Sequence, residues 1–187
     1  MKTMLLIASA AALALTPAHA EPVTKTVTVD GPKFDGTRTT VRDKAAGTLT
    51  RETDVVRARD GATASSDYSR TRTDAGVAVS GSQTGFAGRT RSYDYDRTRT
   101  DTGSTTTGTA TGRGGQTYAL SGNRTKTDTG FTANQNIVSG DGRTVYNRDA
   151  SLSRSSGNVT RSVDVTRAKG FHKPQGVGRG IRGARRR

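Results

Sequence analysis

The chain has 187 residues, a formal net charge of +14, two His, no Cys and no Trp. Residues 21–187 contain 23 Leu, Ile, Val and Phe, about 14%, and five Tyr. So little apolar material under so high a charge excludes a thick aliphatic core, and the lack of Cys excludes a disulfide framework.

The first twenty residues read as an export signal. Lys2 supplies a positive start, Met4 to Leu15 is apolar apart from Ser9, and Ala18-His19-Ala20 gives a small-x-small cleavage site before Glu21. The apolar run is too short for a membrane anchor, since a spanning helix needs about 20 residues. No Cys follows for lipidation and no Arg pair precedes the run, so the expected route is Sec export, to the periplasm, the cell surface or the medium. No later segment is apolar enough to form a transmembrane span.

A repeat of 27 residues organises the middle of the chain. Glycines recur at Gly76, Gly103, Gly130 and Gly157, and a second series runs Gly61, Gly88, Gly115, Gly142. The text repeats with them: Arg70-Thr-Arg-Thr-Asp-Ala-Gly76, Arg97-Thr-Arg-Thr-Asp-Thr-Gly103, Arg124-Thr-Lys-Thr-Asp-Thr-Gly130. Two glycine series holding one period mark a repeat architecture. Each repeat reads as two strands and two turns. The Asp-x-Gly series fits a three-residue hairpin loop whose glycine is left-handed, and the other series supplies the opposite turn. The segments between are rich in Thr, Val, Tyr and Arg and suit a pleated surface.

The expected fold is all-β: a repetitive antiparallel β-meander of two-strand, 27-residue repeats, about eleven strands between Val23 and Arg167, followed by a disordered basic C-terminal tail. The alternative, a β-solenoid with one repeat per coil, would stack Arg70, Arg97 and Arg124 about 4.8 Å apart. At that spacing like charges repel by roughly 1 kcal/mol even in water. A meander puts them on alternate strands, about 9.6 Å apart, with a neutral strand between. Residues 1–20, 21–167 and 168–187 thus divide as leader, β-repeat region and tail.

Alternation assigns side chains to faces. One face carries Arg89, Arg91, Tyr93, Tyr95, Arg97 and Arg99, with Tyr68, Arg70, Arg72, Tyr118, Leu120, Arg124 and Lys126 at equivalent positions. The other carries Thr, Ser and Asp. A three-residue loop ending at Gly130 pairs Leu120 with Val138. The candidate sheet-face platform is therefore Tyr68, Tyr93, Tyr95, Tyr118, Arg97, Arg99 and Arg124, whose rings and Arg methylenes also supply what packing the sheet has.

Enzyme chemistry is poorly provided for. His172 is the one His after the leader and sits in the tail, so the usual zinc sets are absent, no Ser-His-Asp or Cys-His arrangement falls inside the repeats, and no cofactor is implied. Asp94 and Asp96 share a face at a spacing that hydrolytic carboxylates use, but their repeat equivalents are Ser121 and Asn123. Gly112-Arg-Gly-Gly115 lacks the Lys-Ser/Thr of a phosphate loop. Residues 168–187 hold Lys169, Lys173, Arg179, Arg182, Arg185, Arg186 and Arg187 and no acid. Such a segment binds polyanions with little sequence preference. After export the acidic partners would be acidic polysaccharide, lipopolysaccharide, anionic lipid or extracellular DNA.

The expected function is that of an exported, non-enzymatic repeat protein with a structural or adhesive role at the envelope or matrix. A self-assembling fibre subunit and a polyampholyte that orders on a partner are the alternatives. An outer-membrane barrel fits less well, because no strand has the alternating apolar lipid face. Open edges near Val23–Val29 and Asn158–Arg167 predict weak self-association.

Overall fold

The computed structural model describes residues 21–171. They form one sheet of eleven strands in chain order: β1 (Val23–Val29), β2 (Phe34–Asp43), β3 (Thr48–Arg57), β4 (Thr63–Arg72), β5 (Gly76–Thr84), β6 (Thr90–Thr100), β7 (Gly103–Thr111), β8 (Thr117–Thr127), β9 (Gly130–Ser139), β10 (Thr144–Ser155) and β11 (Asn158–Arg167). Each strand pairs antiparallel with its sequence neighbour, and the order in the sheet is the order in the chain. The sheet is an open all-β meander with β1 and β11 at its edges. At about 4.8 Å per strand it is close to 50 Å wide. The leader lies outside the described residues, as do residues 172–187 of the tail.

The two glycine series make different turns, and at Gly76, Gly103 and Gly130 the roles are the reverse of the sequence expectation; Gly157, the fourth of that series, is left-handed as expected (φ +83°) but sits in a two-residue loop, since Ser155 pairs with Asn158. Asp101 and Thr102 form a two-residue loop, since Thr100 pairs with Gly103; Thr127 likewise pairs with Gly130. Gly76, Gly103 and Gly130 open strands, and none of them is left-handed. Their constraint is contact. A Cβ on Gly103 would lie 1.8 Å from the carbonyl oxygen of Arg124, and one on Gly130 equally close to that of Leu152. The three-residue loop with a left-handed glycine belongs to the other series. Gly88, Gly115 and Gly142 have φ of +69°, +80° and +83°. Their loops are closed by bonds such as Gly112 N–H to the Gln116 carbonyl (2.8 Å).

The shorter loop shifts the next strand by one residue. Leu120 therefore pairs with Ile137, and Val138 pairs with Ala119 on the opposite face. Ile137, with no exposed surface, takes the place expected of Val138. Equivalent residues also step two positions along the strand with each repeat. Tyr95 aligns through Gly108 with Leu120, whereas its own repeat equivalent is Gly122.

Nearly all burial is on one face. Val79, Ala110, Leu120, Ala133, Ile137, Tyr146 and the buried Ser104 occupy register positions on the face of Tyr93 and Tyr95. Among the described residues no second layer covers it, and shelter comes from long side chains on the same face and from two excursions of the chain. Phe86, in the β5–β6 loop, stacks on Phe34 (5.6 Å between centroids) with the Arg57 guanidinium 4.8 Å over its ring. After β11 the chain turns back: Ala168 N–H bonds the Val145 carbonyl, and Phe171 packs against Tyr118 (5.4 Å) and Tyr146 (6.4 Å). The basic tail thus begins with an anchored turn.

Candidate functional site

Strand register sorts the charges completely. The strands carry sixteen bases: Lys25, Arg38, Arg42, Arg51, Arg57, Arg70, Arg72, Arg91, Arg97, Arg99, Arg124, Lys126, Arg148, Arg154, Arg161 and Arg167. All occupy one face. The nine strand acids, Asp35, Asp43, Glu52, Asp54, Asp67, Asp94, Asp96, Asp149 and Asp164, all occupy the other. The neutral β5, β7 and β9 separate the charged strands of the middle.

This sorting is not a passive result of the repeat. A β-bulge between Thr144 and Tyr146 shifts the register of β10 by one residue, which exchanges the faces for the rest of the strand. Arg148 stands 27 residues after Ser121, and Asp149 27 after Gly122. Ser121 lies on the acidic face and Gly122 on the basic one. Beyond the bulge Arg148 lies on the basic face and Asp149 on the acidic one. The side chains change with the register, so the two faces keep their charges.

The basic face spaces its charges. No base stands directly opposite another: Arg51 pairs with Thr40 and Tyr68, Arg70 with Leu49 and Val79, Arg124 with Ser104 and Ala133. Aromatic rings sit among the guanidinium groups. Tyr93 and Tyr95 stack with centroids 6.2 Å apart, Arg124 lies 4.1 Å over Phe131, and Arg51 lies 6.0 Å over Tyr68. Arg97 donates to the Ser104 hydroxyl through Nε (3.1 Å) and a terminal nitrogen (3.0 Å). Covered Nε atoms of Arg51, Arg70 and Arg124 donate to no group of the described residues. Burial and then the nearby Arg113 lower the Arg91 guanidinium from its ordinary value, the effect expected where cations crowd a partly dry surface.

The sequence-predicted platform is brought together. Tyr68, Tyr93, Tyr95, Tyr118, Arg97, Arg99 and Arg124 share the basic face. Tyr68, Tyr93, Tyr95, Tyr118, Arg97 and Arg124 are half-buried, and Arg99 is exposed. Of the tail bases, Lys169 is described and exposed. Lys173, Arg179, Arg182, Arg185, Arg186 and Arg187 lie outside the described residues, as does His172. Sequence reasoning missed Tyr146, Phe131, Phe86 and Phe171. The bulge at Val145 is what brings Tyr146 to this face, and period-two alternation has no means of signalling it.

The opposite face is shallow and hydroxylated. Ser82 donates to Asp67 (3.0 Å), and Asn134 donates to Asp149 (2.7 Å). Asp94 and Asp96 are exposed there, opposite Ser80 and Thr109, and Ala78 and Thr107, respectively. Among the described residues no group of three or more His, Cys, Asp or Glu is placed to hold a metal. Among them, too, no helix is long and apolar enough to cross a membrane. No family model, no characterised relative and no solved structure matches the chain.

Proposed function

We propose that this is an exported, non-enzymatic repeat protein with a structural or adhesive role at the cell envelope or matrix, binding acidic polymers or anionic surfaces. Its sheet lays a cationic, aromatic-studded face on the polymer, and the basic tail adds a second contact. The observation that carries the reading is the segregation of strand charges, kept across the β10 bulge. A sheet needing only to fold would gain from cross-strand pairs of opposite sign, each worth about 0.2–1 kcal/mol. This sheet forgoes them on both faces and gathers its bases where no strand acid competes for them, although Arg57 pairs with Asp60 of the loop that follows β3 (2.7 Å). The Tyr rings beside them suit sugar rings or bases, which stack on aromatics with little sequence preference. Acidic polysaccharide, lipopolysaccharide, anionic lipid and extracellular DNA are the partners such a face serves after export.

The test compares residues 21–187, residues 21–171 and an Arg97→Gln/Arg99→Gln/Arg124→Gln variant for binding to a polyuronate, to lipopolysaccharide and to duplex DNA across a salt series. On DNA the log of affinity falls by about 0.9 per log unit of salt for each phosphate neutralised. Truncation should lower affinity and flatten that slope while leaving measurable binding. The triple variant should lose at least about tenfold at low salt, with unchanged circular dichroism. If the triple variant binds all three polymers as well as wild type does, the sheet-face reading fails.

A further inference from the structure

The exposed apolar side chains are concentrated at the two sheet edges. Val23, Val27 and Val29 on β1 and Val159, Val163 and Val165 on β11 are 42–62% exposed; among the described residues Phe34 and Val56, at 41%, are the other large apolar side chains of comparable exposure. All six edge valines lie on the basic face. Every residue of β1 and of β11 is exposed. An edge strand also presents unpaired backbone N–H and C=O groups, and proteins that stay monomeric usually block it with charge, proline or a covering element. Here β1 holds one charge, Lys25, and β11 holds Arg161, Asp164 and Arg167.

We infer that β11 pairs antiparallel with β11 of a second copy, about a two-fold axis normal to the sheet and passing through Val163. Only that symmetry gives an antiparallel β11 pair with both basic faces on one side. Near the middle of the strand the charge pattern then leaves two registers, centred on Val163 or on Ser162, and of these we take Val163, which places an apolar pair at the axis. Centring on Val163 sets Val163 against itself, Arg161 against Val165 and Val159 against Arg167; on the other face Thr160 meets Thr166 and Ser162 meets Asp164. Each base again faces a neutral residue, as Arg70 faces Val79 and Arg124 faces Ala133 inside the sheet. Centring on Arg161 would set that residue against itself. Centring on Asp164 would oppose Asp164 to itself and Arg161 to Arg167. Register shifts by an odd residue would place the basic face of one copy beside the acidic face of the other. β1 obeys the same rule about Thr26, where Val23 meets Val29 and Lys25 meets Val27, so alternating two-folds extend the dimer into a ribbon with one continuous basic face.

The chain has no Cys, so single-Cys variants of residues 21–187 report the pairing directly. With a short bis-maleimide at raised salt, Val163→Cys should link to itself. Arg161→Cys should not link to itself but should link to Val165→Cys in a mixture. Sedimentation of the native chain at high concentration and high salt should show the dimer, and Val163→Lys, which opposes two ammonium groups at the axis, should weaken it at least about fivefold with unchanged circular dichroism. A strictly monomeric chain, a dimer indifferent to Val163→Lys, or links from Val163→Cys to Thr26→Cys in place of the β11 pair would overturn the proposal. The pairing is independent of the polymer reading: the Arg97→Gln/Arg99→Gln/Arg124→Gln variant should dimerise as wild type does, whatever it binds.

Discussion

Gly103 and Gly115 are both required, for opposite reasons. Gly115 is left-handed, with nothing within 4 Å of where a Cβ would stand; Gly103 is not left-handed and has the Arg124 carbonyl in that place. Asn tolerates the left-handed region better than most residues but has a Cβ like any other. Gly115→Asn should therefore cost less than about 1 kcal/mol, and Gly103→Asn several times more, because backbone must move to admit it. Urea melts of the two variants check the contrast; equal losses would refute the contact argument. Tyr95 makes a second test at this scale. Burial first, then Tyr68 and Tyr93, push its hydroxyl above the ordinary value, against the pull of Arg97 and Arg70. In the unfolded chain the group ionises near pH 10, while the fold holds its proton to higher pH. Its contribution to stability is full below about pH 10 and is lost as pH rises through the folded value. Tyr95→Phe should flatten the alkaline limb of stability against pH and leave the neutral region little changed.

At the scale of the strand, the alternation of charged and neutral strands keeps Arg rows apart. Thr106 on β7 stands between Arg97 on β6 and Gly122 on β8. Thr106→Arg would oppose two guanidinium groups and should destabilise by up to about 1 kcal/mol, with part of the loss recovered at high salt. Thr106→Glu should be neutral or mildly stabilising, because it gives Arg97 an acid on its own face. Thermal melts at two salt concentrations separate these outcomes from a steric effect, which salt would not relieve. Eleven strands, both edges and the Tyr–Arg face were legible in the sequence because glycine spacing and period-two alternation encode them locally. The turn types were not. Asp-x-Gly and Gly-x-x-Gly both permit a three-residue loop, and the choice rests on how closely the Arg124 and Leu152 carbonyls on the next strands approach. That contact is tertiary. The placement of Val138 followed the turn type, since one residue of slip reverses a strand's faces.

For the molecule as a whole, the tally of charge in the sequence located half the story. It marked the cationic tail and the basic face of three repeats, but not that all sixteen strand bases share that face. The complete sorting emerges only when strand registers are joined across the sheet, including the bulge that puts Arg148 and Asp149 on the proper sides. A sheet so divided has a direction. Repulsion from nine acids and attraction to sixteen bases should orient it on any anionic surface with the Tyr–Arg face down. Two single-Cys variants read this orientation: Thr106→Cys on the basic face and Thr109→Cys on the acidic one, both on neutral β7 and neither altering charge. Bound to anionic vesicles or to an immobilised polyuronate at low salt, the protein should shield Cys at 106 from a charged maleimide, slowing its reaction several-fold, while Cys at 109 reacts as it does free in solution. Raising the salt should release the protein and abolish the difference, since screening beyond about 10 Å is strong at 0.1 M. The same contrast in residues 21–171 would assign the orientation to the sheet itself. Equal protection at both positions, or protection that disappears with the tail, would mean that the tail holds the protein to the surface and the face does not.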